Sequence, residues 1–417
     1  MFVRKIALIT ILLAQTTAVS QVKSEDSKNQ QKPPNVAVQV RAVVTDRAGQ
    51  FIQGLTKEDF LLTEDGVQQS VHSFSVERIE AKPALLSTKE APQPIPEAAQ
   101  GYPASPSSRV IVLLVDTAHV SSNGLERARI ALQHFIDEQK SDQDLIAVMT
   151  SSGKPGVTGE FTGDRSKLKA EMKKVRPGYT QFESFLTPVL CGKVVRHDPQ
   201  AVSLAGLIID SEDRTSGSVQ MPGGNTQAEA VSKCMMVLLE SSSRRRAVVT
   251  SIGTAVERMS AMPGQHIIAL FTEGFSMTAT GGDIAINEVR PAISSAVRSG
   301  VLIYTFDVKV PMSSKQVNIE SYSLAGEILN SARDIQHGTS LLAGQTGGDA
   351  FYNLDGLSGQ LQEMLDKNRL CYRLAYNPPP AADPRKYRTI SVAVKGHLEY
   401  QVRAQKGYDM TDPRWAR

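Results

Sequence analysis

The chain has 417 residues, 41% of them hydrophobic and 21% charged. That is ordinary for a folded soluble protein, and long enough for two or three domains with a sizeable core. The formal net charge is +3; setting aside residues 1–20 removes Arg4 and Lys5 from the 46 basic residues and nothing from the 43 acidic ones, leaving +1. So balanced a chain has no electrostatic footprint for nucleic acid.

Residues 1–20 read as a signal peptide. Arg4 and Lys5 precede an apolar stretch over 6–19 that is short for a membrane span, and Ala18-Val19-Ser20 offers small residues for cleavage before Gln21. An uncleaved anchor is the competing reading. The chain is expected to be exported, periplasmic or secreted, with no membrane span after cleavage. Its three cysteines, Cys191, Cys234 and Cys371, leave room for one disulfide, and spacing does not choose the pair.

Residues 21–35 are polar and read as a disordered leader. Over 36–80 the period is two, with Val36, Val38 and Val40 alternating with Ala37, Gln39 and Arg41; Glu64-Asp65-Gly66 then marks a hairpin. Residues 81–107 carry six prolines and read as an extended linker. From 108 to 368 the texture is α/β. Buried-type runs at 110–115, 145–149, 266–271 and 301–306 alternate with helical segments, and 157–161 reads as a short edge strand.

Residues 228–259 read as a long helix, interrupted near Ser241-Ser242-Ser243, and 284–297 as a helix kinked or restarted at Pro291. Arg244-Arg245-Arg246 reads as a solvated helical face. An insertion is expected over 176–226, where His197-Asp198 and the acidic residues of 210–213 read as solvated loop; a second is expected over 310–335, with 338–350 leading to a last strand at Phe351-Tyr352. Over 369–410 the period returns to two. Neither β segment makes a sandwich alone. The predicted architecture is a doubly wound, mainly parallel sheet inserted into a small all-β sandwich formed by the N- and C-terminal segments.

No G-x-S-x-G, H-E-x-x-H, P-loop or post-strand G-x-G-x-x-G is present, and Ser151-Ser152-Gly153-Lys154 matches S-x-x-K without its companion motifs. Attention therefore falls on the carboxyl edge of the parallel sheet, where open α/β folds bind ligands. The run 110–115 ends in Asp116, and the run 266–271 ends in Thr272-Glu273-Gly274.

An apolar strand, an Asp, a short Ser/Thr loop, an amphipathic helix and a later strand ending in an acid and Gly together resemble a von Willebrand factor type A (VWA) domain. Its metal-ion-dependent adhesion site uses D-x-S-x-S, a Thr from a middle loop and a later Asp around an octahedral Mg²⁺. Asp116 matches the first Asp, but the two Ser positions fall on Ala118 and Val120. Ser121, Thr180 and Glu273 are the nearest candidates for the remaining ligands. His119 could add a nitrogen, although a lone loop His is more often only exposed. The alternative role for Asp116 is to cap the next helix or bond its own loop.

Further matches, among them Gly54-Leu55-Thr56-Lys57-Glu58-Asp59-Phe60, Phe161-Thr162-Gly163-Asp164-Arg165 and Gln345-Thr346-Gly347-Gly348, are similar to the VWFA-related domain proteins of acidobacterial type, over about 36–410. The resemblance implies export and architecture more than function; the fold pattern, the signal peptide and the absence of catalytic motifs point to an exported, non-enzymatic protein-binding or adhesion module with a degenerate adhesion site and another protein as its partner. No cofactor is expected, and Mg²⁺ or Mn²⁺ is the ion an intact site would take. The competing functions are a divalent-metal-dependent hydrolase and a structural scaffold of an envelope complex.

Overall fold

The structure is a computed structural model that describes residues 37–79, 108–138, 144–151, 157–177, 187–216, 226–277, 282–309, 322–352, 356–379 and 387–409. The expected signal peptide, leader and Pro-rich linker lie outside these residues. Strands β1 (Val38–Thr45), β2 (Phe60–Glu64), β3 (Val67–Gln68) and β4 (Ser73–Arg78) come first. Next are β5 (Arg109–Val115), α1 (Ser122–Glu138), β6 (Leu145–Thr150), α2 (Arg165–Lys174), α3 (Pro188–Val195), α4 (Pro199–Ser216) and α5 (Thr226–Ser260). They lead into β7 (Gln265–Thr272), α6 (Gly282–Arg298), β8 (Val301–Asp307), α7 (Tyr322–Thr346), β9 (Ala350–Phe351) and α8 (Leu357–Asp366). Strands β10 (Leu370–Tyr376), β11 (Tyr387–Val394), β12 (Gln401–Ala404) and β13 (Gly407–Asp409) follow.

The N- and C-terminal strands interleave. Among the described residues two antiparallel sheets form, in the orders β12-β1-β10-β4 and β13-β11-β2-β3, with Val40 opposite Leu374 and Leu62 opposite Val392. Each four-stranded sheet takes strands from both terminal segments. Phe60 and Tyr372 join the two layers, their ring centroids 5.2 Å apart. A buried carboxylate, Glu64, takes the Arg388 guanidinium and the Tyr376 and Tyr408 hydroxyls, so the charge is both paired and hydrogen-bonded.

The central sheet is parallel, in the order β6-β5-β7-β8-β9. Every residue of β5 and β7 is buried, because helices cover both faces. Ile111, Leu113 and Val115 pack with α1, α2 and α8; Val110, Val112 and Leu114 share a core with α5, α6 and the sandwich. The doubly wound sheet inserted into a β sandwich is therefore the observed architecture. No described helix is long and apolar enough to cross a membrane.

Several local expectations need correction. Helix α5 runs unbroken through Ser241-Ser242-Ser243 because tertiary contacts hold it there: Ser242 Oγ donates to Glu288 at 2.9 Å. Arg245, expected on a solvated face, is fully buried; it pairs with Glu288 at 2.5 Å and donates to the Ser276 carbonyl at 2.8 Å. Helix α6 continues through Pro291 and does not restart there. Residues 157–161 form no strand, and only a single antiparallel bridge, Ile146 to Thr162, reaches β6. Gly159, at φ +64°, turns the chain out of the extended conformation. Residues 210–213 lie in α4 rather than in loop, and Asp198 accepts from Gln200 and Ala201 N–H at the start of that helix. Gly338 lies inside α7, packed beneath Phe275.

Candidate functional site

The strand order places a reversal between β5 and β7, the position at which doubly wound sheets open a crevice at their carboxyl edge. Asp116 leaves β5 there, its N–H donating to the Phe271 carbonyl at 2.9 Å. Its side chain is fully buried. Oδ1 accepts from Ser151 Oγ at 2.9 Å and Ala118 N at 3.2 Å; Oδ2 accepts from Thr272 Oγ1 at 2.7 Å and bonds His119 Nδ1 at 2.8 Å. Burial alone would raise the pKa of this carboxyl. The His119 ring beside it and the hydrogen bonds from His119, Thr272 and Ser151 more than offset burial and hold it below the usual carboxylate range. His119 is not the exposed loop residue expected: its side chain is 10% exposed and lies 6.1 Å, centroid to centroid, from Phe275.

Glu273 forms a second cluster. Its Oε1 accepts from Ser121 N at 2.9 Å and from the Ser121 hydroxyl. Ser121 Oγ also accepts from Gly124 N at 3.1 Å, so it caps α1 while holding Glu273. Gly124 is part of the same device, since a Cβ there would lie 2.2 Å from Glu273 Oε1. Burial raises the Glu273 pKa, and the negative charge of Asp307, at the end of β8, adds to the rise against the Ser121 bonds. Burial raises Asp307 likewise.

The loop after β7 is clamped from behind. Gly274, at φ +86°, leaves no room for a Cβ against Ile335, Ser276 bonds Asp334, and Arg245 reaches the Ser276 carbonyl.

Of the residues singled out from sequence, Ser121 and Glu273 touch each other, and Asp116 anchors a separate cluster with Ser151, Thr272 and His119. Thr180 lies outside the described residues. Ser151, Thr272 and Asp307 were missed as site residues, yet one signal finds all three: each stands at or just past the end of an apolar run in a parallel sheet, as Asp116 does.

No protein-family model matches the chain. No curated protein matches it. Among solved structures it is similar to an aerotolerance-related membrane protein from Bacteroides fragilis NCTC 9343 carrying multiple mutations to serines, at 11% sequence identity and a TM-score of 0.29, over 62% of this chain and 98% of that one. A likeness at that level says nothing of activity.

The edge does not fit a hard divalent cation as it is arranged. Both oxygens of Asp116 already accept two hydrogen bonds each, which uses the lone-pair directions an octahedral ion would need. Ala118 and Val120 bring no side-chain oxygen, and no group of three acidic, His or Cys residues able to hold a metal occurs among the described residues. What the arrangement does chemically is lock three strand ends and the start of α1 into one hydrogen-bonded edge.

Proposed function

We propose that the chain is an exported, non-enzymatic protein-binding module, a VWA-like domain with a degenerate adhesion site that works without a bound ion. The observation that carries this reading is the helical insertion. Helices α3, α4 and α5 build a small core of their own, in which Cys191 is disulfide-bonded to Cys234. The outer surface of this braced unit exposes Leu207, Met235, Met236 and Leu239, the last three 46%, 61% and 65% exposed. Met235 and Met236 lie four and three residues before Leu239, so these three side chains share one helical face. Clustered exposed apolar side chains on a rigid support mark an interaction surface, and methionine adapts to varied partners. A disulfide accords with an oxidising compartment.

The test compares cross-linked capture from envelope and culture fractions by the wild type and by Met236→Glu/Leu239→Glu. A defined partner lost in the double variant is expected, while equal capture by both overturns the reading. Millimolar Mg²⁺ or Mn²⁺ is expected to leave the melting temperature unchanged, since a real site would stabilise by mass action.

A further inference from the structure

Beside the Asp116 cluster a cleft of about 400 Å³ opens between the end of β6 and one face of α5. That size suits a small molecule. Thr250, Ser251, Thr254 and Arg258 line it from the helix, at spacings that keep them on one face. The opposite wall is Ser151 and residues 157–159. None of the described lining residues is acidic.

Arg258 is held in place without an ion pair among the described residues. Its guanidinium carbon lies 5.6 Å from the centre of the Phe161 ring, a cation–π contact. Gly159, at φ +64°, passes so close that a Cβ there would fall 2.4 Å from Arg258 Nη1. The backbone is thus shaped around a guanidinium that forms no ion pair with a carboxylate among the described residues.

The hydroxyls around it are polarised by their own bonds. Ser251 Oγ donates to the Ala247 carbonyl at 2.8 Å, Thr254 Oγ1 to the Thr250 carbonyl at 3.1 Å, and Ser151 Oγ to Asp116. With their protons committed, these oxygens present lone pairs to the cleft. Thr158 Oγ1 accepts from Glu160 N at 3.3 Å, while the Thr158 N–H, at 2.7 Å, and hydroxyl both donate to Glu171. The cleft therefore offers the Arg258 guanidinium as donor to an oxyanion and hydroxyl oxygens as acceptors to hydroxyl groups.

We propose that this cleft binds a small hydroxylated carboxylate of the uronate (sugar-acid) class, with the carboxylate bidentate on Arg258 and the ligand hydroxyls donating to Ser251 and Thr254. An arginine fork matches a planar carboxylate in geometry as well as charge. The proposal is independent of the protein-binding reading.

The test titrates the full chain with D-glucuronate, D-glucose and inorganic phosphate at constant ionic strength, followed by calorimetry and thermal shift. Glucuronate is expected to bind saturably, with glucose at least tenfold weaker. Arg258→Gln is expected to lose at least tenfold in glucuronate affinity while melting like the wild type without ligand, as an exposed position allows. Thr254→Val is expected to weaken glucuronate. No saturable glucuronate binding, saturation by phosphate alone, or equal glucuronate affinity in Arg258→Gln and the wild type overturns the proposal. Arg258→Lys, which keeps the charge and loses the fork, is the second variant; wild-type affinity there overturns the bidentate contact.

Discussion

Asp116 shows how much a buried carboxylate depends on its neighbours. Burial alone would raise its pKa, and the His119 ring with the hydrogen bonds from His119, Thr272 and Ser151 holds it below the usual range instead. Its prominence in the sequence came from a simple rule, an apolar run ending in a charge. The contact between Ser121 and Glu273 spans 152 positions in sequence and leaves no local trace. Gly124 tests that contact. A glycine inside a helix ordinarily costs about 0.5–1 kcal/mol relative to alanine. At Gly124, however, a Cβ would fall 2.2 Å from Glu273 Oε1 and 3.2 Å from the Val308 carbonyl. Gly124→Ala is therefore expected to destabilise by roughly 1–3 kcal/mol in urea unfolding. Gly253→Ala, on the open side of α5 with nothing within 4 Å, is the control and is expected to be neutral or stabilising. A stabilised Gly124→Ala would show that Glu273 is not held where the Ser121 bonds place it.

At the scale of elements, the strands were legible and the helical insertion was not. The strands of the central sheet are buried on both faces, so their sequences are unbroken apolar runs bounded by polar residues. The run of serines in α5 misleads because local propensity argues for a break, and it is overridden by Ser242 and Arg245 both reaching Glu288 on α6. Residues 157–161 mislead the other way: Val157, Thr158 and Phe161 are residue types that favour a strand, yet the left-handed Gly159 breaks it. The disulfide was undecidable from three cysteines. In the fold, Cys371 is buried in β10 with its thiol pushed up to about 12 by burial, far from thiolate chemistry. The bridge between Cys191 and Cys234 spans 43 positions, a loop for which chain entropy gives about 4 kcal/mol of stabilisation. Cys191→Ala/Cys234→Ala is expected to melt at a lower temperature and to lose hydrogen-exchange protection first in α3, α4 and the N-terminal half of α5. Identical melting of wild type and double variant would remove the bridge as a brace.

At the scale of the whole molecule, the sandwich and the parallel sheet meet at charged groups that are buried together. Arg41 of β1 donates to the Gly264 carbonyl at 3.3 Å and pairs with Glu77 of β4 at 3.4 Å. His266, at the start of β7, sits against this junction and bonds the Met262 carbonyl at 2.9 Å. Burial lowers the His266 pKa to about 4, and the positive charges of Arg41 and Arg373 add to the fall against the Met262 and Ser299 carbonyl contacts. The folded protein thus binds fewer protons than the unfolded chain between pH 6.5, the ordinary value of the imidazole, and about 4. Stability from this group is fully present above pH 6.5 and is lost as the pH falls through that window, by about 3 kcal/mol in all. Other carboxylates titrate over the same range, so the comparison that isolates His266 is the difference between wild type and His266→Gln. Chemical unfolding from pH 8 to pH 4 is expected to show the wild type losing stability faster than the variant below pH 6.5, with parallel curves above it. Curves parallel throughout would mean that His266 is protonated in the folded state, and that the junction between the two β layers and the parallel sheet tolerates a third positive charge beside Arg41 and Arg373.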